Sequence, residues 1–166
     1  LKLNAVQTID DLLHLTILDP CCGSGVFLVA CYDLLTEKFI HIVKKSESAA
    51  ANYKDWFVHE NETFYMTIDG RRNLITHCLY GIDCDDVAIE VAKMSLALKV
   101  VDGIEPLYGE KLGAYGEKIL RDISNNIKLG NTLVSKQSSF SADEIEKTKP
   151  LHIEKAFKDN NIEGKG

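Results

Sequence analysis

At 166 residues, 45% hydrophobic and 27% charged, the chain is long enough for one domain with a genuine core and has the composition of a soluble globular protein. Its formal net charge of −6, from 19 Lys and Arg against 25 Asp and Glu, excludes a surface built to neutralise a polyanion, because that needs clustered cations and only Lys44-Lys45 and Arg71-Arg72 cluster. No signal peptide opens the chain and no apolar run approaches the roughly 18 residues of a membrane span, so no membrane partner and a cytoplasmic location are expected.

Residues 1 to 14 read as a connector, with Ile9-Asp10-Asp11-Leu12-Leu13 as the tail of a helix or part of that connector. The organising stretch follows, from Leu15 to Leu28: a short apolar run ends in Asp19, turns through Pro20 and two glycines, and passes into a long apolar-periodic segment. That pattern predicts strand, tight loop and helix. Gly23 and Gly25 lack Cβ atoms, so the loop can adopt positive φ and bring backbone N–H groups close to a ligand just ahead of a helix N-terminus. A dinucleotide fingerprint is excluded, because Leu28 stands where a third glycine is needed and no acid ends a second strand about 20 residues on. Asp19 favours a cationic group over a pyrophosphate, which its carboxylate would repel.

From Val26 to about Lys45, the spacing of Leu28, Cys31, Leu35, Phe39 and Ile42 predicts a helix with one buried stripe, closed by Lys44 and Lys45 at the negative end of its dipole. Residues 46–69 have weak periodicity and read as an insertion, partly helical and partly loop, with Trp56, Phe57, Phe64 and Tyr65 as a satellite cluster. Arg71 to Cys78 reads as a helix entering a strand that ends at Asp83. Asp85 then caps a second amphipathic helix from Val87 to Val101, with Val87, Val91, Met94 and Leu98 on one face, expected to be buried, and Ala88, Ala92 and Ser95 beside it. Two strand-turn-helix units in succession predict an α/β fold with a parallel sheet. Asp83 is the second functional candidate, since a strand-end carboxylate at this place in doubly wound folds accepts hydrogen bonds from both ribose hydroxyls.

Residues 102–126, with Gly103, Pro106, Gly109, Gly113 and Gly116, read as loop-rich with one short helix near Glu117 to Ile123. Ile127 and Leu129 alternate as a third short strand before Gly130-Asn131-Thr132-Leu133, and the remainder is Ser- and Lys-rich. His152 is expected at the surface. The five cysteines, at 21, 22, 31, 78 and 84, form no Cys-x-x-Cys spacing, so reduced and mostly buried thiols are expected in place of a zinc site.

Three of these segments carry a resemblance. Asp19-Pro20-Cys21-Cys22-Gly23-Ser24-Gly25-Val26-Phe27-Leu28 resembles the S-adenosylmethionine loop, Asp-Pro-Ala-Cys-Gly-Ser-Gly-x-Phe-Leu, of DNA adenine methyltransferases of restriction-modification systems, departing only at Cys21. Tyr80-Gly81-Ile82-Asp83-Cys84-Asp85, followed by Ala88 and Ala92, resembles that family's Tyr-Gly-Val-Asp-Ile-Asp-Pro and its Ala-rich helix. Gly130-Asn131-Thr132-Leu133 resembles its Gly-Asp/Asn-Ser-Leu turn.

The resemblance implies a partial doubly wound, Rossmann-like methyltransferase fold, with a parallel sheet flanked by helices. It implies that S-adenosylmethionine is bound by Asp19, Pro20, Cys22, Gly23, Gly25 and Phe27 of the loop region. Asp83 would take the ribose, Cys84 would lie against the adenine ring, and Asn131 would receive its exocyclic amine. The family's Asp/Asn-Pro-Pro-Tyr/Phe catalytic motif is absent, since Pro20, Pro106 and Pro150 are the only prolines and none are adjacent. No catalytic residue is therefore assigned. The chain is expected to be the cofactor-binding front half of a larger enzyme: residues 1–14 connecting to a missing upstream segment, 15–134 the cofactor domain with insertion 46–69, and 135–166 a linker toward the missing motif. Alone it should be inactive, with DNA reached through the full-length protein. The first strand would be left as an exposed edge able to pair with a second copy. The alternatives are an RNA or protein methyltransferase fragment, or a noncatalytic cofactor-sensing or partner-binding module.

Overall fold

The computed structural model describes residues 3–102, 112–134 and 141–157. Thr8 and Asp11 form a reciprocal capping box that starts α1 (Ile9–Leu13). The chain then enters β1 (Ile17–Asp19), shorter at its start than the apolar run suggested, and turns into α2 (Val26–Lys45). All five residues of the expected α2 stripe are buried, and Lys44 and Lys45 occupy the last turn.

The insertion is more regular than its sequence suggested. It contains α3 (Glu47–Asn52), a 3-10 turn (Lys54–Trp56) and an antiparallel hairpin of β2 (Phe57–Glu60) and β3 (Thr63–Met66). Asn61 and Glu62 at its tip have φ of 48° and 63°, the two consecutive left-handed residues that a tight two-residue hairpin turn requires. A Glu in place of the usual Gly hid that signal. The expected aromatic cluster forms: Trp56 stacks on Phe39 of α2 at 6.0 Å and Phe57 packs on Phe64 at 5.5 Å, while Tyr65 remains 42% exposed. The Tyr53 hydroxyl donates to the Asp10 carboxylate at 2.6 Å, fastening the insertion to α1.

Thr67 caps α4 (Ile68–Cys78), which leads directly into β4 (Leu79–Asp83). Asp85 caps α5 (Asp86–Val101), and after α6 (Leu112–Ser124) comes β5 (Ile127–Leu129). α6 is longer than the Glu117 to Ile123 expected, because its helical turns run through Gly113 and Gly116. Gly103, Pro106 and Gly109 lie outside the described residues.

The sheet has the order β1-β4-β5 and is parallel throughout, with Ile17 opposite Leu79, Asp19 opposite Gly81 and Asp83 opposite Leu129. This is the α/β arrangement expected of a partial doubly wound fold. β1 has a strand neighbour on one side only among the described residues. Leu79 belongs to the main core with α2, α4 and α5, whereas Tyr80 and Ile82 form a smaller core on the other face with Phe157. Phe157 follows α7 (Ala142–Thr148) and α8 (Ile153–Ala156), so the end of the described part of the expected linker, from Leu151 to Phe157, packs onto the sheet. His152 is exposed, as expected. No described helix is long and apolar enough to cross a membrane.

One expectation is reversed. Val87, Val91, Met94 and Leu98 of α5 are 68%, 45%, 51% and 58% exposed, and the buried face is Ile89, Ala92, Leu96 and Val100. The reason is a close approach: a Cβ added at Gly25 would lie 3.1 Å from the Ala92 Cβ, so only a small side chain allows α5 to rest beneath the loop. Both faces of α5 carry apolar residues at helical spacing, and contact with the core and with Gly25 decides which one is buried.

A single buried polar residue joins the strands to α4. The Asn126 amide nitrogen donates to the carbonyls of Thr76 at 2.8 Å and Leu79 at 2.9 Å, groups that the end of α4 leaves without helical partners. Removing that donor takes a partner from the buried Leu79 carbonyl, while Thr76 keeps the Tyr80 hydroxyl at 3.4 Å, at a cost of about 1–3 kcal/mol. Asn126→Ala should therefore lower the thermal midpoint by several degrees, at roughly 2–4 °C per kcal/mol for a domain of this size. An unaltered midpoint in a thermal melt would show that these carbonyls do not depend on Asn126.

Candidate functional site

Three loops leave the C-terminal ends of the three parallel strands and meet there, where open α/β sheets hold their ligands. The first runs from Asp19 to Gly25. Asp19 accepts the Cys21 N–H at 3.1 Å, the Cys22 N–H donates to the Ile82 carbonyl at 2.9 Å, and the Gly25 N–H closes the turn on the Cys22 carbonyl at 2.8 Å. Gly23 and Gly25 have φ of 52° and 81°, so the positive φ expected of both glycines is present. A Cβ added at Gly23 would meet nothing within 4 Å, so this stretch of backbone faces open space. At Gly81 the reverse holds: a Cβ there would come within 2.9 Å of Leu28 and 3.0 Å of Cys22, so the loop and the start of α2 lie directly on β4.

Asp83, at the tip of β4, joins the loops. Its Oδ2 accepts the Gly23 N–H at 2.8 Å, sixty residues away in sequence, and its Oδ1 accepts the Asp85 N–H at 3.0 Å. Partial burial by itself raises the Asp83 carboxyl, but the backbone N–H groups of Asp85, Gly23 and Cys84 and the Cys84 thiol outweigh it and hold the group below the ordinary aspartate value. A folded-state value depressed in this way stabilises the fold above the unfolded value, near pH 4, and that contribution is lost as pH falls through the folded value. Asp83 is therefore ionised at neutral pH. A carboxylate offers about four lone-pair positions, and the two backbone donors leave acceptor capacity for a ligand.

Cys22 and Cys84 differ. Burial, reinforced by the Asp83 and Asp19 carboxylates, pushes the Cys22 thiol up to about 11, so it is protonated at neutral pH and acts as packing. Cys84 and Cys21 are exposed, while Cys31 and Cys78 are buried with Cys22. Among the described residues no group of three or more His, Cys, Asp or Glu is arranged to hold a metal.

The third loop follows β5. The Gly130 N–H donates to the Asp83 carbonyl at 2.8 Å, and the Asn131 side-chain oxygen accepts the Leu133 N–H at 2.9 Å, fixing its rotamer. The Thr132 hydroxyl donates to the Pro20 carbonyl at 3.2 Å, tying this loop back to the first. Asp19, Pro20, Cys22, Gly23, Gly25, Asp83, Cys84 and Asn131 thus lie on loops directly stitched together. Phe27 stands apart on the first turn of α2, 53% exposed.

Two participants were not foreseen. Thr132 appeared only as part of a turn, and Lys149 lies in the segment read as a linker. Its amino group donates to the Cys84 carbonyl at 3.3 Å and its own carbonyl accepts the Asn131 N–H at 2.7 Å. No local pattern around Lys149 signals this, because both contacts are made across the fold.

Two hollows lie away from the strand-tip loops or only touch them. A polar cavity of about 760 Å³ sits at the opposite end of the sheet, bordered by His14, Arg72, His77 and Asn126. A groove of about 580 Å³ runs between α2 and α5 past Val26, Val91 and Leu98, touching the loop at Ser24. The candidate site is marked by the converging strand-tip hydrogen bonds.

Comparison with known proteins adds a family. The MmeI DNA-methyltransferase domain family matches residues 2–154. RM.MjaORFECS2P of Methanocaldococcus jannaschii, which bears the name of a type II restriction enzyme and methyltransferase, is 32% identical over 126 residues, covering 76% of this chain and 9% of that protein. The type II restriction enzyme and methyltransferase RM.Eco57I of Escherichia coli is 23% identical over 144 residues, covering 86% of this chain and 13% of that protein. The chain thus spans about a tenth of the length of these curated relatives. No solved structure matches it. The loops that meet at the strand tips lie within the matched region, and the chain belongs to the family of MmeI DNA-methyltransferase domains.

Proposed function

We propose that the chain is the S-adenosylmethionine-binding portion of a restriction-modification methyltransferase that methylates the exocyclic amine of adenine in DNA. The observation that carries this reading is the 2.8 Å bond from the Gly23 N–H to Asp83, which joins a glycine loop to a strand-end acid in one cradle. The cradle fits the group: open space lies over Gly23, and an ionised carboxylate with spare acceptor capacity stands beside it.

In this reading Asp83 accepts the ribose hydroxyls while its other lone pairs keep the loop closed. Cys84 lies against the adenine ring and Asn131 faces its exocyclic amine. Asp19 attracts the cationic end of the ligand, and Pro20, Cys22, Gly23 and Gly25 shape the backbone wall, with Phe27 at the rim. When bound, S-adenosylmethionine supplies an electrophilic methyl group. A flipped base needs a pocket with hydrogen-bond acceptors and a stacking ring; the resemblance implies that an Asp/Asn-Pro-Pro-Tyr/Phe motif supplies it, and these 166 residues do not contain one. The chain alone should therefore bind cofactor without methylating, and base recognition belongs to other parts of the enzyme. DNA is contacted weakly or not at all by this acidic segment.

Calorimetric titration of the intact protein with S-adenosylhomocysteine tests the reading, and the absence of heat from folded protein would overturn it. Asp83→Ala removes charge-assisted bonds of about 1.5–3 kcal/mol in total, so the dissociation constant should rise about tenfold or more. Asp83→Asn, which keeps one acceptor, should fall between that variant and the wild type. Because Asp83 stays ionised, its contribution to affinity should be flat between about pH 5 and pH 8. Tenfold weaker binding at the upper end of that range would contradict the assignment.

The exposed thiols report on placement. Alkylation mapped by mass spectrometry should modify Cys21 and Cys84 and spare Cys22, Cys31 and Cys78. Saturating S-adenosylhomocysteine should slow modification of Cys84, and equal rates with and without it would remove Cys84 from the adenine face.

A further inference from the structure

We propose that Lys149 is a positioning residue for the nucleobase end of the cradle, holding the Cys84 and Asn131 loops at a fixed separation. The inference rests on the cofactor reading above and extends it to a segment that reading did not include.

Lys149 ends α7 with φ of 44°, in the left-handed region. Glycine adopts that conformation freely, whereas a side chain with a Cβ is strained in it, and helix ends of this kind usually carry Gly or Asn. If the position served only to end the helix, glycine would suit it better. The lysine instead uses both of its ends. Its side chain crosses to the Cys84 carbonyl at 3.3 Å, sixty-five residues away, and its main-chain carbonyl accepts the Asn131 N–H at 2.7 Å. The next residues extend the contact: Leu151 N–H donates to the Asn131 carbonyl at 3.0 Å, and Pro150 bridges to Asn131 in parallel register.

The spacing has little slack. A Cβ added at Gly130 would lie 2.5 Å from the Leu151 Cβ, so the 149–151 segment already presses on the tip of β5. Lys149 thus spans two strand tips, one carrying the residue assigned to the adenine face and the other the residue assigned to its amine. Without the ammonium, the Cys84 loop loses its tie to this segment, and the Gly130 N–H bond to the Asp83 carbonyl is left to hold the two strand tips together without fixing Cys84 itself. Strain kept at one residue while its two ends hold two loops is the pattern expected of a constraint serving a binding site.

The test separates positioning from helix capping. Lys149→Gly relieves the left-handed backbone and removes the side chain, and Lys149→Arg keeps a cation. In the intact protein, calorimetry with S-adenosylhomocysteine and S-inosylhomocysteine, in which a carbonyl replaces the exocyclic amine, measures both affinity and base preference. Lys149→Gly should keep or raise the melting midpoint, weaken S-adenosylhomocysteine about fivefold or more and reduce its preference over the inosine analogue. Lys149→Arg should restore both toward wild type. If Lys149→Gly binds both ligands like wild type, or if its affinity falls only together with its melting midpoint, the proposal is overturned. Wild-type protein that binds neither ligand would overturn the cofactor reading, and this proposal with it.

Discussion

A single hydrogen bond between residues sixty positions apart, Gly23 N–H to Asp83 Oδ2 at 2.8 Å, sets the geometry on which the candidate site depends. It requires a glycine at φ 52°, an ionised carboxylate at the end of the adjacent strand, and a register that brings Asp19 opposite Gly81. A one-residue slip in a strand would turn its side chains to the other face of the sheet. The parallel pairing of β1 and β4 is therefore what allows two acids separated by α2, the whole insertion and α4 to flank one glycine bend. The insertion lengthens the connection without disturbing this, because it is anchored laterally on α1 and α2 through Tyr53 and Trp56.

Absence of side chain does much of the packing around that bond. Gly81 admits Leu28 and Cys22 onto the strand, and Gly25 admits Ala92. Each contact brings a helix or loop nearer than a Cβ would permit, so the start of α2 lies on β4 and the glycine bend rests on the second turn of α5. The outer face of α5 is left bearing Val87, Val91, Met94 and Leu98 in the open. The buried face is apolar as well, with Ile89, Leu96 and Val100 in the core and the small Ala92 placed where the helix meets Gly25.

The sheet is covered unequally. One face carries α2, α4 and α5 over a continuous core, while the other is covered in the described residues by the Tyr80, Ile82 and Phe157 cluster. The segment that supplies Phe157 also supplies Lys149 and Leu151, so one stretch of chain both covers the second face and borders the third loop.

Much of this was legible in the residues themselves. The glycine bend, the strand-end acids, the Asp85 cap, the α2 stripe and the parallel α/β class all follow from local pattern, since turn, cap and period are properties of neighbouring residues. The hairpin at Asn61-Glu62, the length of α6, the buried face of α5 and the role of Lys149 were not legible. The hairpin turn tolerates a Glu at positive φ, and α6 continues through glycines that usually interrupt helices. The other two depend on which distant surfaces meet. Sequence alone determined where the backbone bends and where charge is placed; only the tertiary structure decided which bends face each other, because that choice is made by contacts between residues far apart in the chain.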